Sequence, residues 1–241
     1  MPCCIRPVQT RYGHGTDAVR LPGASTARTY TPYLVSDLPF QLPPEAAREL
    51  ASVLDVEGKI LRGIEALGPV AGRDVLLVDA AESMVAVGLG GLGARVHHEA
   101  LAAPFRPSAA EESIDVVVGL WSLFRGVTAE DLAAADRVLR PGGRLLVVHD
   151  YGRDDVSRLQ PDREEFGAWG RRNGPFLGAG FRVRVLHCFW TFASQEATTT
   201  FLESAFGTAG TDVAATLKRP RLSYNVAIYH RTRGGESIPA G

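Results

Sequence analysis

The sequence predicts an α/β protein built around a parallel β-sheet that is covered on both faces. An apolar run at residues 114–120, rich in β-branched side chains, is typical of a buried strand. Residues 128–139 then follow a helical period, and the Pro-Gly-Gly of residues 141–143 breaks it. A second apolar run follows at residues 145–148. Strand, helix and strand in this order form one βαβ unit of a parallel sheet.

Both ends of the helix at residues 128–139 carry sequence signals. Thr128 and Asp131 have the spacing of a capping box in which Asp replaces the usual Glu. Arg140 is expected in the last turn, where a cation interacts favourably with the helix macrodipole, and the two glycines beyond it suit a left-handed cap. The helix is therefore predicted to begin and end inside the βαβ unit.

Periodicity and turn residues predict further strands and helices outside this unit. In chain order these are a helix at 44–67 interrupted near Gly58, a strand at 74–79, a Gly-rich helix at 84–92, a strand at 94–98, a polar loop at 104–112, a β-rich run at 181–192, helical stretches at 195–206 and 211–217, and a strand at 222–230. This alternation favours a sheet with helices on both faces.

The chain divides into four predicted parts. Residues 1–29 are rich in Gly, Thr, Arg and Pro without a period, which predicts a disordered N-terminal tail. Residues 30–72 predict a cap segment followed by a helix, and residues 73–232 predict the α/β domain. Residues 233–241 predict a disordered C-terminal tail.

The composition is that of an ordinary globular protein. Of 241 residues, 45% are hydrophobic and 22% are charged, and the formal net charge of -1 gives no general attraction to nucleic acid or to anionic lipid. No stretch approaches the roughly 20 apolar residues that span a bilayer, and the first residues lack the apolar core of a secretory signal. We therefore expect a cytoplasmic protein that contacts neither membranes nor nucleic acid. The scarcity of lysine beside many Arg, Ala, Gly and Val residues suggests a bacterial source.

No metal site is predicted. Cys3 and Cys4 are adjacent and the third cysteine, Cys188, lies in an apolar run, so the three do not have the spacing of zinc ligands. His97 and His98 are adjacent on a predicted strand and therefore point to opposite faces, which prevents a shared chelate.

Residues 114–149, which read IDVVVGLWSLFRGVTAEDLAAADRVLRPGGRLLVVH, resemble the class I S-adenosylmethionine (SAM)-dependent methyltransferases, of the kind called methyltransferase type 11. In that family a strand of the form FDVVV precedes a helix that ends in LRPGG and leads into the next strand. The resemblance covers about residues 46–232. It implies a Rossmann-like methyltransferase fold, with a mostly parallel central sheet and an antiparallel last strand. The runs at 181–192 and 222–230 would be the closing pair of strands.

The resemblance also places the cofactor turn. In the family the first strand ends in (D/E)xGxGxG, whose glycines let backbone amides approach the amino-acid end of SAM. The register that fits without a gap begins at residues 75–78 and reaches LGARV at residues 92–96. It puts the three glycine positions on Asp79, Ala81 and Ser83, so the SAM motif is degenerate. These three residues are expected to contact SAM, although each added Cβ restricts positive φ and holds a ligand away from the backbone.

A second register is also open. Residues 53–55 would form the first strand, and Asp79 at the end of the second would hold the ribose hydroxyls. The string VDAAESMVAV resembles the family's VDxSxxMxxxA in this register. Residues 49–67, however, contain good helix formers with a continuous apolar face, so we favour a helix there and the first register.

Glu99 begins the string EALAAPF, which resembles the family's DAxxLPF element, whose acid contacts the adenine amino group. Here the element follows the second strand at once, so the fold is predicted to be trimmed by one strand–helix unit. Glu99 would then accept hydrogen bonds from both ribose and adenine. The alternative is a solvated loop glutamate.

The carboxyl ends of the later strands carry the candidates for chemistry, because ligands bind outside these ends in open α/β sheets. Leu120 and Trp121 are expected to contact the cofactor, with the Trp121 ring on the adenine or the sulfonium. His149 would act as a base, Asp150 would orient it, and Tyr151 would donate to an acceptor oxygen. The same residues also suit plain packing: Trp121 in the core and His149 at a strand end.

Together these observations predict a SAM-dependent methyltransferase that acts on a small molecule. The alternative is a non-catalytic pseudo-methyltransferase that serves as a binding or assembly partner, which the missing glycines favour. A nucleic-acid methyltransferase is disfavoured by the near-neutral charge and by the lack of an NPPY-like tetrapeptide. The β-rich run at 181–192 would pair two chains into a homodimer if it lies at a sheet edge.

Overall fold

A six-stranded sheet forms the centre of the described part of the computed structural model. The structure describes residues 38–78, 84–99, 104–121, 124, 127–160 and 169–234. The strands are β1 (Asp74–Val78), β2 (Arg95–Glu99), β3 (Ile114–Leu120), β4 (Leu139–Asp150), β5 (Arg182–Thr191) and β6 (Arg221–Thr232). Their order is β2-β1-β3-β4-β6-β5. Neighbours from β2 to β4 pair parallel, and β6 pairs antiparallel with both β4 and β5.

Helices cover both faces of the sheet, as the alternating sequence pattern predicts. They are α1 (Pro44–Val53), α2 (Lys59–Leu67), α3 (Met84–Gly91), α4 (Ala129–Val138), the short α5 (Pro175–Gly178) and α6 (Gln195–Thr216), with a 3-10 turn at Val156–Leu159. Buried residues of α1, α2, α3 and α6 share one apolar core with the sheet. Buried residues of α4 and α5 share the other core on the opposite face. We call these the α2-side core and the α4-side core.

Strand β3 shows why the run at 114–120 is apolar throughout. Val116 and Val118 belong to the α2-side core, whereas Ile114 and Val117 belong to the α4-side core. Each of these side chains is at most 2% exposed. Fully burying one such side chain contributes about 1.5–3 kcal/mol, so a strand apolar on both faces is strongly fixed in the centre of the sheet.

The segment before β1 decides between the two registers. Residues up to Val53 form α1, and Leu54 makes an isolated antiparallel bridge with Trp190. Asp55, at φ 51°, accepts hydrogen bonds from the backbone N–H groups of Lys59 and Ile60 at 3.0 and 2.7 Å, which caps α2. The helix interruption predicted near Gly58 is therefore confirmed. The alternative register, with a first strand at residues 53–55, is wrong because that segment is occupied by a helix end and its cap.

The strands and the helix of the first register are confirmed, and so is the trimmed sheet. β1 runs through α3 to β2, as residues 75–96 predict. Between the end of β2 and the start of β3, the described residues 104–113 contain neither a helix nor a strand. Because the missing strand–helix unit would follow β2, this strand is left at one edge of the sheet. β5, which corresponds to the predicted β-rich run at 181–192, is at the other edge.

The helix at residues 128–139 is confirmed at its start and shorter at its end. Thr128 Oγ1 accepts a hydrogen bond from the Asp131 backbone at 3.1 Å. The helix stops at Val138, so the prediction that Arg140 lies in its last turn is wrong. Leu139 already pairs with Ile114 as part of β4, because Pro141 cannot continue a helix and the chain extends before it.

The two predicted helical stretches near the C-terminal end are joined in α6, which is kinked at Gly207 (φ 57°, ψ -132°). No helix among the described residues is both long and apolar enough to cross a membrane. The predicted N-terminal tail lies outside the described residues, as do residues 235–241 of the predicted C-terminal tail. Arg233, also placed in that tail, donates its backbone N–H to the Gly143 carbonyl at 2.9 Å.

Candidate functional site

The strand order creates a switch point at the carboxyl end of β1. From β1 the chain crosses to β2 on one side, while β3 pairs with the other side of β1. Ligands in open α/β sheets bind in the crevice outside such a point. Val78, the last residue of β1, pairs with Glu99 on one side and with Gly119 on the other. We call these three residues the strand-tip row.

Glu99 is the acidic member of the strand-tip row. Its Oε2 atom accepts hydrogen bonds from the backbone N–H and the hydroxyl of Ser108, at 2.9 and 2.7 Å. These bonds hold the carboxyl group between the tip of β2 and the loop at residues 104–113. A cavity of about 490 Å³ runs along the β2 edge, lined by Glu99 and Ser108 and, toward the amino ends of β1 and β3, by Asp74 and Ile114. The side chain is therefore half-buried at a sheet edge, with a fixed position beside open space.

The predicted cofactor turn connects β1 to α3. Its three glycine positions, Asp79, Ala81 and Ser83, lie outside the described residues. Their contact with SAM stays a prediction.

Trp121 and Leu120 lie inside the protein at the end of β3. Leu120 is 0% and Trp121 is 2% exposed, and both belong to the α2-side core. The Trp121 Nε1–H points to Asp150 Oδ1 at 3.1 Å and to the Tyr224 hydroxyl at 2.9 Å. The Tyr224 hydroxyl in turn donates to Asp150 Oδ1. A cofactor contact through either predicted side chain would require it to leave this core.

Trp121, Asp150 and Tyr224 form a buried polar cluster, which we call the Trp–Asp–Tyr cluster. Tyr224 is 1% exposed and Asp150 is 9% exposed. Burial raises the pKa of Tyr224 well above its usual value, and the negative charge of the neighbouring Asp150 adds to the shift. The cluster joins β3, β4 and β6 at one end of the sheet, so it fixes the relative positions of these three strands.

His149 and Asp150 point to opposite faces of β4, as successive residues of a strand do. The His149 ring is 1% exposed, with its centroid 4.5 Å from that of Trp169 and 5.6 Å from that of Phe176. Asp150 faces the other way, toward Trp121 and Tyr224. The hypothesis that Asp150 orients His149 is therefore wrong.

Tyr151 lies on the same side of the sheet as His149. Its backbone N–H donates to the Asn225 carbonyl at 2.9 Å, and its ring is half-buried against the α4-side core. The structure thus brings two of the three predicted catalytic residues, His149 and Tyr151, to one face and sends Asp150 to the other.

The structure adds residues to this end of the sheet that the sequence did not single out. Asp154 accepts a hydrogen bond from the Asn225 backbone at 2.6 Å, and Asp155 accepts from the Ser223 backbone at 2.9 Å. Burial raises the pKa of Asp154. These bonds fasten the segment after β4 to the start of β6. Asp residues beside Gly after a strand predict a turn. The sequence around them does not predict their hydrogen-bond partners, which lie 68 or more residues later in the chain.

Metal binding has no support in the described part of the chain, where no group of three or more His, Cys, Asp or Glu side chains could hold an ion. Cys188, the third cysteine, is buried, and this burial raises the pKa of its thiol far above the usual range.

Comparison with solved structures finds several methyltransferases. A protein from Anaeromyxobacter dehalogenans, assigned as a type II methyltransferase, is 17% identical with a TM-score of 0.46, and the match covers 73% of this chain and 95% of that one. A protein from Anabaena variabilis ATCC 29413, assigned as a methyltransferase from an antibiotic biosynthesis pathway, is 12% identical with a TM-score of 0.45, over 75% and 99% of the two chains. A geranyl diphosphate methyltransferase in complex with GPP and sinefungin is 15% identical with a TM-score of 0.39, over 79% and 83%. No family model matches the sequence, and no curated protein matches it.

The similarity to these structures is too low to carry an argument about activity, so the fold is assigned from the sheet itself. Five strands point in one direction, and β6, the last in the chain, is inserted antiparallel between β4 and β5. The chain has a Rossmann-like methyltransferase fold. The predicted fold class, a mostly parallel sheet with an antiparallel last strand and one strand–helix unit fewer, is confirmed.

Proposed function

We propose that the protein is a SAM-dependent methyltransferase that acts on a small-molecule acceptor. The observation that carries this proposal is Glu99 at the tip of β2, paired in register with Val78 at the switch point. An acidic side chain about 20 residues beyond the first strand of a Rossmann-like unit accepts hydrogen bonds from ribose hydroxyls. Glu99 stands 21 residues after Val78. An ionised carboxylate suits ribose hydroxyls because the hydroxyls can donate hydrogen bonds and the carboxylate only accepts them.

When bound, SAM would supply an electrophilic methyl carbon on a sulfonium. The chain would then act mainly by positioning, since methyl transfer is an in-line displacement. Glu99 would hold the ribose, and the backbone of residues 79–83 would face the amino-acid end. Asp79, Ala81 and Ser83 leave less room there than glycines, so we expect weaker binding than an intact glycine turn gives.

The acceptor must be held on the same side of the sheet as the reacting atoms, and a proton that it releases on methylation would pass to solvent. We propose Tyr151 as the hydrogen-bond donor to the acceptor, because its side chain is half-buried. His149 is enclosed by Trp169 and Phe176, so a role as base would need these rings to move apart. A His149→Phe variant that keeps the pH profile of the transfer rate would remove His149 from proton transfer.

Titration calorimetry of the full chain with SAM and with S-adenosylhomocysteine tests the proposal. We expect saturable binding of both, and Glu99→Gln should weaken it by roughly tenfold, the loss typical of a charge-assisted hydrogen bond. Ser108→Ala is the matched control, because it removes the hydroxyl that binds Glu99 and leaves the carboxylate in place.

Two results would contradict the proposal. If wild-type protein binds neither molecule at millimolar concentration, the catalytic role fails and a non-catalytic binding or assembly role takes its place. If Glu99→Gln and Ser108→Ala reduce affinity equally, Glu99 serves only to anchor the loop at residues 104–113. The nature of the acceptor is a separate matter, which a screen of small acceptors for methyl transfer would address once SAM binding is shown.

A further inference from the structure

Basic side chains gather on the α2 side of the sheet, away from the strand-tip row. In the pairing of β5 with β6, Arg182 lies opposite His230, and His230 lies opposite Leu146 of β4. Residues two apart on a strand share a face, so Arg184 and Arg144 point to the same side as this row. Leu146 belongs to the α2-side core, which identifies the face. Arg182 and Arg184 are at the amino end of β5 and Arg144 is in the middle of β4, whereas the proposed SAM site lies at the carboxyl ends of the strands.

Helix α2 brings two more cations to the same face. Gly63 lies directly on the sheet, since a Cβ there would come within 2.7 Å of Leu186 and 2.9 Å of Ile228. This close approach places Lys59 and Arg62, on the same helix, beside β5. Lys59, Arg62 and Arg184 line a cavity of about 380 Å³ whose other lining residues carry no carboxylate. We call Arg62, Arg144, Arg182 and Arg184 the arginine cluster.

Among the described residues, the arginine cluster forms no ion pair. In the described part of the chain, no carboxylate lies within ion-pair distance of any of its four members. Arg62 donates to the Glu57 carbonyl at 2.6 Å, and Arg144 donates to the Thr232 hydroxyl. Both partners are neutral groups. The nearby Glu57 carboxylate is paired with Lys59 at 2.7 Å.

This arrangement differs from the other exposed arginines that contact β1 and β3. Arg73, Arg95 and Arg140 pair with Asp74 or Asp115 at 2.8–3.4 Å. The positive charge of Arg144, Arg182 and Arg184 acts on His230, whose pKa is lowered by burial and then by these three neighbours. Cations held together without counter-charges destabilise the folded state, and an anion bound among them would relieve the repulsion.

We propose that the arginine cluster binds a small molecule that carries two or more linked phosphate groups. Guanidinium groups match phosphate oxygens in a two-pronged geometry, which favours phosphate over a halide or a simple counter-ion. Residues two apart on a strand are about 7 Å apart, so the side chains of Arg182 and Arg184 can each reach a different phosphate group of one small molecule. Two members of the cluster, Arg62 and Arg184, line the cavity of about 380 Å³, a volume in the range of small-molecule sites, roughly 300–1,000 Å³, and Arg144 and Arg182 lie outside its lining. The net charge of -1 does not provide the extended basic footprint of a nucleic-acid surface.

Titration calorimetry of the full chain with sodium pyrophosphate, at low ionic strength, tests this proposal. We expect saturable binding of one pyrophosphate, and affinity for inorganic phosphate weaker by roughly tenfold because it spans fewer guanidinium groups. The double variant Arg182→Gln/Arg184→Gln should bind pyrophosphate at least about tenfold more weakly. Both side chains are exposed, so the variant should fold, and its circular dichroism melt verifies this.

The matched control is Arg73→Gln/Arg106→Gln, which removes the same charge from exposed sites elsewhere. It should keep the wild-type affinity for pyrophosphate. Equal losses in the two double variants would overturn the proposal, because the attraction would then be due to overall charge. Absence of binding at millimolar pyrophosphate would overturn it too, as would tight binding of a single-stranded DNA oligonucleotide that pyrophosphate does not displace. SAM affinity should be unchanged in Arg182→Gln/Arg184→Gln, which separates this proposal from the methyltransferase proposal.

Discussion

Replacing Tyr224 with Phe should lower the stability of the folded protein, because it removes a hydroxyl group from the Trp–Asp–Tyr cluster. The hydroxyl donates to Asp150 and accepts from Trp121, and the ring is 1% exposed, so water cannot replace it. A hydrogen bond to a charged group contributes about 1.5–3 kcal/mol, whereas the Trp121 N–H keeps Asp150 as a partner. We expect Tyr224→Phe to lower the free energy of unfolding by about 2 kcal/mol. For a chain of this length that corresponds to a fall in Tm of roughly 4–8 °C.

Tyr229→Phe is the matched control. Tyr229 is also 1% exposed and lies on the same strand, but its ring stacks on Phe176 at 4.0 Å with an interplanar angle of 10°. Among the described residues, its hydroxyl makes no hydrogen bond that the substitution would break. We expect a change of about 0.5 kcal/mol or less, because the stacking survives the loss of the oxygen. Urea denaturation of the two variants measures both values. Equal destabilisation by the two substitutions would refute the role given to the Asp150–Tyr224 hydrogen bond.

Alkaline pH gives a second measurement on the same variant. The pKa of Tyr224 is raised by burial and by Asp150, so the folded state keeps this proton after the unfolded chain has lost it. The resulting stability is therefore fully present below the unfolded pKa of about 10 and is lost as pH rises above it. Between pH 10 and pH 11 the wild type should lose about 1 kcal/mol more than Tyr224→Phe. Parallel curves for the two proteins would contradict a raised pKa at this residue.

The remaining predictions concern single positions. Gly210→Ala should destabilise the protein by about 1–3 kcal/mol in thermal or urea unfolding, because its Cβ would lie 1.9 Å from the Leu202 carbonyl oxygen. Gly90→Ala in α3 should stabilise the protein by about 0.5–1 kcal/mol, because the added Cβ meets nothing within 4 Å and alanine favours a helix more than glycine does. If Gly90→Ala destabilises the protein more than Gly210→Ala does, the placement of these two helices is wrong. Hydrogen bonds, first from Arg95 and then from His97, hold the pKa of Asp74 far below its usual value. Asp74→Asn should therefore have a lower free energy of unfolding than wild type at pH 7, and the difference between the two proteins should shrink below pH 4. A difference that grows in acid would contradict the lowered pKa of Asp74. Placing glycine at positions 79, 81 and 83 together should raise SAM affinity in calorimetry, and an unchanged affinity in a folded variant would count against their contact with SAM.

Local sequence signals were sufficient for the elements and much of the sheet. The βαβ unit follows from periods of two and 3.6 residues, and Thr128 caps its helix as the spacing predicts. The order of the strands came from the resemblance to methyltransferases rather than from periodicity. The sequence predicts too long a helix α4 because an arginine such as Arg140 also suits a helix terminus. In the structure it instead pairs with Asp74 and Asp115, which are 66 and 25 residues away.

The site was harder to predict because its contacts are distant in sequence. Tyr224 meets Asp150 across 74 residues and Trp121 across 103, so no local pattern joins them. Alternation along a strand, by contrast, is a local pattern, and it already separates His149 from Asp150. The arginine cluster was invisible for the same reason as Tyr224, since Arg144 and Arg182 come together only through the register of β6 with both neighbours.

The Trp–Asp–Tyr cluster also determines where a nucleoside would lie. Leu120 and Trp121 fill the space at the end of β3 on the α2 side, and their burial is linked to Asp150 and Tyr224. A bulky ligand above β3 and β4 would have to displace an indole with a buried hydrogen bond, which is costly. A ligand that contacts Glu99 at the end of β2 would not have to displace a buried side chain, because Glu99 is half-buried and lines a cavity. If SAM binds as proposed, its nucleoside should therefore lie over β1 and β2 rather than over β3 and β4, at the edge from which the strand–helix unit after β2 is missing.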